Sequence, residues 1–299
     1  MEKTTRSSLL LSLVAVAALS ACAAGVIAQS ALPGVGPNPQ LEKPEDKLIP
    51  IPTVNIAPAD GWPEGATPRA PEGFRVTAFA RGLQHPRWVY TLPNGDVLVA
   101  ESNSPPPKDN AKNVHSEGLR GKAMEWVMKR AGAGVPSADR ITLLRDADGD
   151  GVAEVRTVFM GNLFSPFGMA LVGNEFFVAN ADGIVKVPYQ AGQTSIGATP
   201  VKVTDLPAGA NHHWTKNILA SPDGSKLYAT VGSNSNMGDN GMASEEGRAA
   251  IWEVDRATGN KRLFASGLRN PNGLGWGAQT KVLWTVGDER DEVGRNLVP

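Results

Sequence analysis

The chain has 299 residues, 41% hydrophobic and 20% charged, enough for one sizeable folded domain. A formal net charge of −1 leaves no basic stripe for a nucleic-acid partner. A single cysteine, Cys22, rules out an intrachain disulfide.

The N-terminus reads as an export signal. Lys3 and Arg6 form a short positive region, and Leu9 to Leu19 form an apolar run too short to span a bilayer. The run ends at Leu19-Ser20-Ala21-Cys22, which looks like a bacterial lipoprotein cleavage box. Residues 1–21 are therefore expected to be a signal peptide and Cys22 the lipidated residue of a periplasmic, membrane-anchored protein. Acyl chains contribute ~0.8 kcal/mol per buried methylene, so several of them anchor firmly. The alternative is ordinary cleavage further on, after Ala28; both readings place the protein outside the cytoplasm. Residues 22–71 follow as a tether, with prolines from Pro33 to Pro71 and little apolar periodicity between them.

From Phe74 the pattern changes to strands. Phe74 to Phe79 alternates, Trp88-Val89-Tyr90 follows His85-Pro86, and Pro93-Asn94-Gly95-Asp96 turns the chain into Val97 to Ala100. The same phrase recurs at Ser165-Pro166-Phe167-Gly168 with return Phe176 to Ala179, and at His213 with return Lys226 to Val231. It recurs again at Arg269-Asn270-Pro271 with return Val282 to Val286. A period of about fifty residues fits the four-stranded antiparallel blades of an all-β propeller. One interval is enlarged by an insertion at about 104–140, where Leu119, Met124, Val127 and Met128 form an apolar stripe opposite Lys122, Lys129 and Arg130. That pattern predicts a surface helix. About four repeats are legible, and the last stops short at Pro299, which reads as a truncated ring whose edge strand is left unpaired.

Two phrases carry candidate chemistry. Asn211-His212-His213-Trp214-Thr215-Lys216-Asn217 offers imidazoles, whose unperturbed pKa near neutrality suits proton transfer. Gly267-Leu268-Arg269-Asn270-Pro271-Asn272-Gly273 offers a permanent cation beside an amide, a set suited to stabilising developing negative charge. The plain alternative is that both histidines sit on a strand edge and only pack or bind water.

The run from Gly82 to Pro299 resembles the soluble quinoprotein glucose/sorbosone dehydrogenases, and most closely their sorbosone branch. The phrases that carry the likeness are Leu163 to Leu171, His212 to Ile218, Glu246-Gly247-Arg248-Ala249-Ala250-Ile251-Trp252, Gly267 to Leu274, and Gly287 to Glu292. The resemblance implies a six-bladed propeller using pyrroloquinoline quinone (PQQ) and calcium to oxidise an aldose or a sugar-derived aldehyde. A cytochrome or quinone would then accept the electrons. On the same basis His213 is the general base, with hydride passing to C5 of the quinone. Arg269 stabilises the quinone oxygen, Asn270 is its hydrogen-bonding neighbour, and His212 stands where some relatives carry an acidic residue. Gly287 and Asp288 match positions whose backbone carbonyls hold calcium. Further basic residues that grip the cofactor's carboxylates belong, in that family, to blades beyond Pro299.

The acidic residues Asp288, Glu289, Asp291 and Glu292 also read as a solvated loop. Separately, Asp146, Asp148 and Asp150, with Gly149 and Gly151 between and after them, look like a calcium loop. Thr157 stands where the helix-loop-helix pattern expects a bidentate Glu. The flanks are strand-like, so a bare hairpin tip is the competing reading. Two other function classes stay open: a calcium-dependent propeller hydrolase such as a lactonase, and a non-catalytic, lipid-anchored binding propeller.

Overall fold

Fourteen strands follow one another as antiparallel meanders in a computed structural model that describes residues 61–63, 65–105, 122, 126–131, 135–236, 238 and 240–288. The first sheet takes β1 (Pro86–Thr91), β2 (Val97–Glu101), β3 (Arg140–Arg145) and β4 (Val155–Met160) in chain order. The second takes β5 (Met169–Val172), β6 (Glu175–Asn180), β7 (Gly183–Pro188) and β8 (Val201–Asp205). The third takes β9 (Ile218–Ala220), β10 (Lys226–Val231), β11 (Ala250–Asp255) and β12 (Lys261–Ser266). The last described pair is β13 (Asn270–Trp276) with β14 (Leu283–Asp288). Three full meanders and a two-stranded one are successive blades of a β-propeller, as the repeat predicts.

Strand β6 explains why the sheets stack face to face. Its side chains alternate with the period of two that a strand imposes. Phe176 and Val178 join Leu98, Ile141, Leu143 and Phe159 between the first and second sheets. Phe177 and Ala179 join Ile218, Leu227, Ala229 and Val254 between the second and third. Both faces of β6 are therefore buried, each closed Phe side chain contributing about 2 kcal/mol by area. Phe159 meets Phe176 edge-on at 5.5 Å between ring centroids, and Tyr189 closes the same cluster. Between the third sheet and the last pair, Tyr228 meets Trp276 at 5.4 Å, and Trp276 Nε1 donates to the Ala220 carbonyl.

A left-handed residue stands ahead of each of the first three innermost strands: His85 (φ 49°) directly before β1, and Ser165 (φ 44°) and Asn211 (φ 52°) in the segments leading to β5 and β9. Gly168 marks how closely the innermost strands approach one another. A Cβ there would lie 2.5 Å from the Ile218 nitrogen, so only glycine fits.

One expectation needs revision. Phe74 to Phe79 is not a strand: no ladder partner covers it, and Phe74 is 76% exposed. In the insertion, the described residues 126–130 are helical, with Trp126 and Met128 facing solvent; the rest of the proposed stripe, including Leu119 and Met124, lies outside the described residues. The signal segment, Cys22, most of the tether, and Glu289, Asp291 and Glu292 also lie outside them. Among the described residues, no helix is long and apolar enough to cross a membrane.

Candidate active site

His213 lies in the lead into β9, and Arg269 in the lead into β13, so the two phrases meet where adjacent blades abut. Ser233, just past the end of β10, joins them. Its backbone N–H donates to the Arg269 carbonyl at 2.8 Å, and its own carbonyl accepts from His213 Nδ1 at 2.8 Å. A carbonyl can only accept, so Nδ1 carries the proton in neutral His213 and Nε2 carries the lone pair. The Ser233 hydroxyl reinforces this: it donates to the Ser235 carbonyl at 2.7 Å and offers its oxygen to Nδ1 at 3.0 Å.

A second bridge runs through Asn236. Its Oδ1 accepts from His212 Nε2 at 3.0 Å and from Arg269 Nη2 at 2.8 Å, while its backbone carbonyl accepts from Arg269 Nε at 3.0 Å. The rings of His212 and His213 stand edge to face, 4.7 Å apart. The turn that carries Asn236 is braced by Glu245 in the short 3-10 helix Met242–Glu245, whose carboxylate accepts from Asn234 N–H at 2.7 Å and the Ser235 hydroxyl at 3.0 Å.

Gly232 packs the wall tightly. A Cβ at this position would come within 2.5 Å of both His213 Cβ and Asn270 Oδ1, so these side chains close on it from two sides. Asn270 is buried; its Nδ2 donates to Asp288 Oδ2 at 3.3 Å, while its Oδ1 has no partner among the described residues. A buried amide oxygen left this way calls for a donor beyond the described residues, such as a ligand or water.

Gly287 and Asp288, at the end of β14, sit against the same phrase, since Asn270 pairs with Asp288 and Pro271 with Gly287 in the β13–β14 ladder. The Asp288 carbonyl accepts from Arg269 Nη1 at 3.3 Å. Its oxygens are the hard donors that calcium prefers, yet carbonyl and carboxylate alike accept N–H groups in this arrangement.

The sequence reading gave no role to Asn211, Ser233, Asn236, Lys216 or Arg248. Lys216 is completely buried, and burial, together with the nearby Arg248 cation, lowers its pKa to about 7, with Asp182 opposing. Burial also lowers the Arg248 pKa. On the other side of the phrase, the Arg87 guanidinium of β1 lies 5.1 Å from the centroid of the Trp214 ring. The blades of Arg87 and Trp214 are separated by another, so this contact spans the inner ends of the strands.

The Asp146 loop is elsewhere. It joins β3 to β4 beyond Arg145, and the register Glu101↔Arg140 and Val97↔Leu144 puts it at the strand ends away from the His85–Pro86 lead. Ligand oxygens of Asp146, Asp148, Asp150 and Glu154 lie within 4.8 Å of one another. Glu154 thus supplies the fourth carboxylate, whereas Thr157 belongs to β4 and donates to the Thr194 carbonyl. Asp146 is held below its ordinary carboxylate value first by the Gly151 N–H and also by that of Gly149.

A family model described as TrAA12-like matches residues 138–299. No curated protein matches the chain. The chain is similar in fold to the holo form of the PQQ domain of a pyranose dehydrogenase from Coprinopsis cinerea, with a TM-score of 0.54 and 18% identity. That likeness covers 75% of this chain and 48% of the other. It is also similar to the calcium structure of a Trichoderma reesei enzyme of carbohydrate-active family AA12, with a TM-score of 0.55 and 18% identity, over 77% of this chain and 52% of the other. The chain thus spans about half the length of the solved structures it resembles. The matched segment contains both phrases and the turn that bridges them, and it makes up more than half of the chain: the protein belongs to the TrAA12-like family.

Proposed function

We propose that the chain carries the His-Arg site of a PQQ-dependent dehydrogenase that oxidises an aldose or a sugar-derived aldehyde of the sorbosone kind. The observation that carries this reading is the Ser233 bridge, which fixes the His213 tautomer and ties it to Arg269. When bound, the quinone supplies a two-electron acceptor for hydride.

The residues fit such a group in kind. Arg269 brings a planar cation with several donors, and Asn270 Oδ1 is a buried acceptor awaiting a partner. In the proposed reaction His213 Nε2 takes the proton from the anomeric hydroxyl of a sugar, or from the hydroxyl of a hydrated aldehyde. Ser233 holds the opposite nitrogen as a donor, so the imidazolium that forms is oriented and stabilised. Arg269 stabilises the oxygen on which negative charge builds, and Asn270 Nδ2, once released from Asp288, would join it. His212, edge-on to His213 and joined to Arg269 through Asn236, keeps the two in register.

In this proposal oxygens of Gly287 and Asp288 would hold calcium, and the Arg269 and Asn270 donors that now rest on Asp288 would be free for a ligand. The Asp146 loop, at the other strand ends, is the proposed place for a second, structural calcium. A lactonase-like hydrolase would need acidic ligands around an axial metal, and this carboxylate cluster, the one set of its kind among the described residues, is remote from His213. Export, the lipid anchor at Cys22, a periplasmic location and a cytochrome or quinone electron acceptor complete the proposal.

A dye-linked assay with added PQQ and calcium tests it. Sugar-dependent dye reduction that requires PQQ supports the assignment; hydrolysis of lactones with no dye reduction overturns it.

A further inference from the structure

Asn211 opens the His phrase, and three donors converge on its side-chain oxygen. Lys216 Nζ lies 3.3 Å from Oδ1, and Arg248 Nη1 and Nη2 lie 3.3 Å from it. Asn211 Nδ2 donates to the Ala181 carbonyl of the preceding blade at 2.9 Å. Both cations also hold backbone near the histidines. Lys216 donates to the Trp214 carbonyl directly after His213, and Arg248 to the Ala208 and Gly232 carbonyls. Gly232 adjoins Ser233, the residue that fixes the His213 tautomer.

A fully buried lysine beside a buried arginine is an expensive arrangement, and an apolar side chain would fill the same volume without that cost. Its placement calls for a use beyond packing. The backbone of Asn211 is left-handed (φ 52°), a conformation asparagine tolerates, and its side chain is anchored through both its oxygen and its nitrogen.

We propose that Lys216 and Arg248 are positioning residues, which clamp Asn211 and the carbonyls on either side of the His phrase and so keep His213 locked against Ser233. The inference rests on the reading of His213 as the proton acceptor. The depressed pKa of Lys216 fits it: near neutrality the amine sheds its proton and its repulsion from Arg248 while Asp182 offsets part of the remaining charge.

The test uses the full chain labelled with nitrogen-15 and reads the imidazole nitrogen shifts of His213, with His85 as an internal control. In the unaltered protein the two His213 nitrogens should be well separated, as for one fixed tautomer. In Asn211→Ala and Lys216→Met the two shifts should move toward a common averaged value while His85 is unchanged. Dye reduction should lose ~10- to 100-fold in kcat with little change in KM, because misplacing a catalytic group is costly even when binding survives. Asn211→Ala and Lys216→Met are independent variants, so either carries the test should the other fail to fold. A His213 tautomer that stays fixed in either folded variant overturns the inference. A locked histidine in a chain that reduces no dye upholds the positioning role and sinks the dehydrogenase reading instead.

Discussion

The seam between the first and second blades and the seam between the third and fourth grow from the same strand phrase but hold opposite contents. The first is filled by Phe159, Phe176, Tyr189 and their aliphatic neighbours, with Phe176 and Val178 of β6 out of solvent. The second, at its inner end, holds His213, Ser233, Asn236, Arg269 and Asn270, joined by hydrogen bonds rather than by apolar area. One repeat can thus spend its seam residues on cohesion in one place and on chemistry in another. The polar seam is sound only because nearly every donor in it has an acceptor; its open acceptor, Asn270 Oδ1, is the place where a ligand is wanted.

This contrast predicts that mutations in the two seams fail in different assays. The largest effect is expected for His213→Ala, which should lower sugar-dependent dye reduction by ~10³-fold, within the usual range for a general base, and leave the unfolding midpoint nearly unchanged. Wild-type turnover in that variant would remove the distinction. Phe176→Ala should do the reverse: ~3–5 kcal/mol of stability lost in urea unfolding, with quinone affinity retained by the fraction still folded. Gly232→Ala should touch both properties, because its methyl strikes His213 and Asn270 together; a loss of ~1–3 kcal/mol with reduced activity is expected.

The pH dependence of stability sharpens the comparison further. Folded Lys216 releases its proton near 7, whereas the unfolded lysine keeps it up to about 10.5. Between those values the unfolded state binds more protons, so this group makes stability rise with pH across the window; below it the burial penalty applies in full. Urea unfolding of Lys216→Met at a series of pH values should have a flatter profile there; an unchanged slope would mean another group dominates. The smallest effect belongs to the Asp146 loop. Asp148→Asn should abolish any calcium-dependent rise in Tm while sparing dye reduction, as befits a hairpin at the far strand ends.

Much of the architecture was legible because strand periodicity and turn chemistry are local. Pro93-Asn94-Gly95-Asp96 and Pro222-Asp223-Gly224 mark hairpin turns, and the pattern of Phe176 to Ala179 marks a strand buried on both faces. Phe74 to Phe79 misled for the same reason: alternation alone does not supply a neighbouring strand. The site was legible in part. His213 and Arg269-Asn270 stood out as chemistry-bearing groups in recurring phrases, but Ser233 and Asn236 are ordinary polar residues in a loop, with no spacing signal that distinguishes them from their neighbours. Lys216 and Arg248 stood in phrases already singled out, but nothing in their spacing marked either as buried.

By itself the sequence determined the blade repeat, the residues able to exchange protons or bear charge, and the alternation that buries β6, because each of these is written within a few consecutive positions. The tertiary structure alone decided that two phrases distant along the chain meet on Ser233 and Asn236, which nitrogen of His213 bears the proton, and that two cations share one amide oxygen. Such facts depend on which loops the closing blades bring into contact and on burial that raises the cost of every unpaired charge, and neither is encoded at any single position.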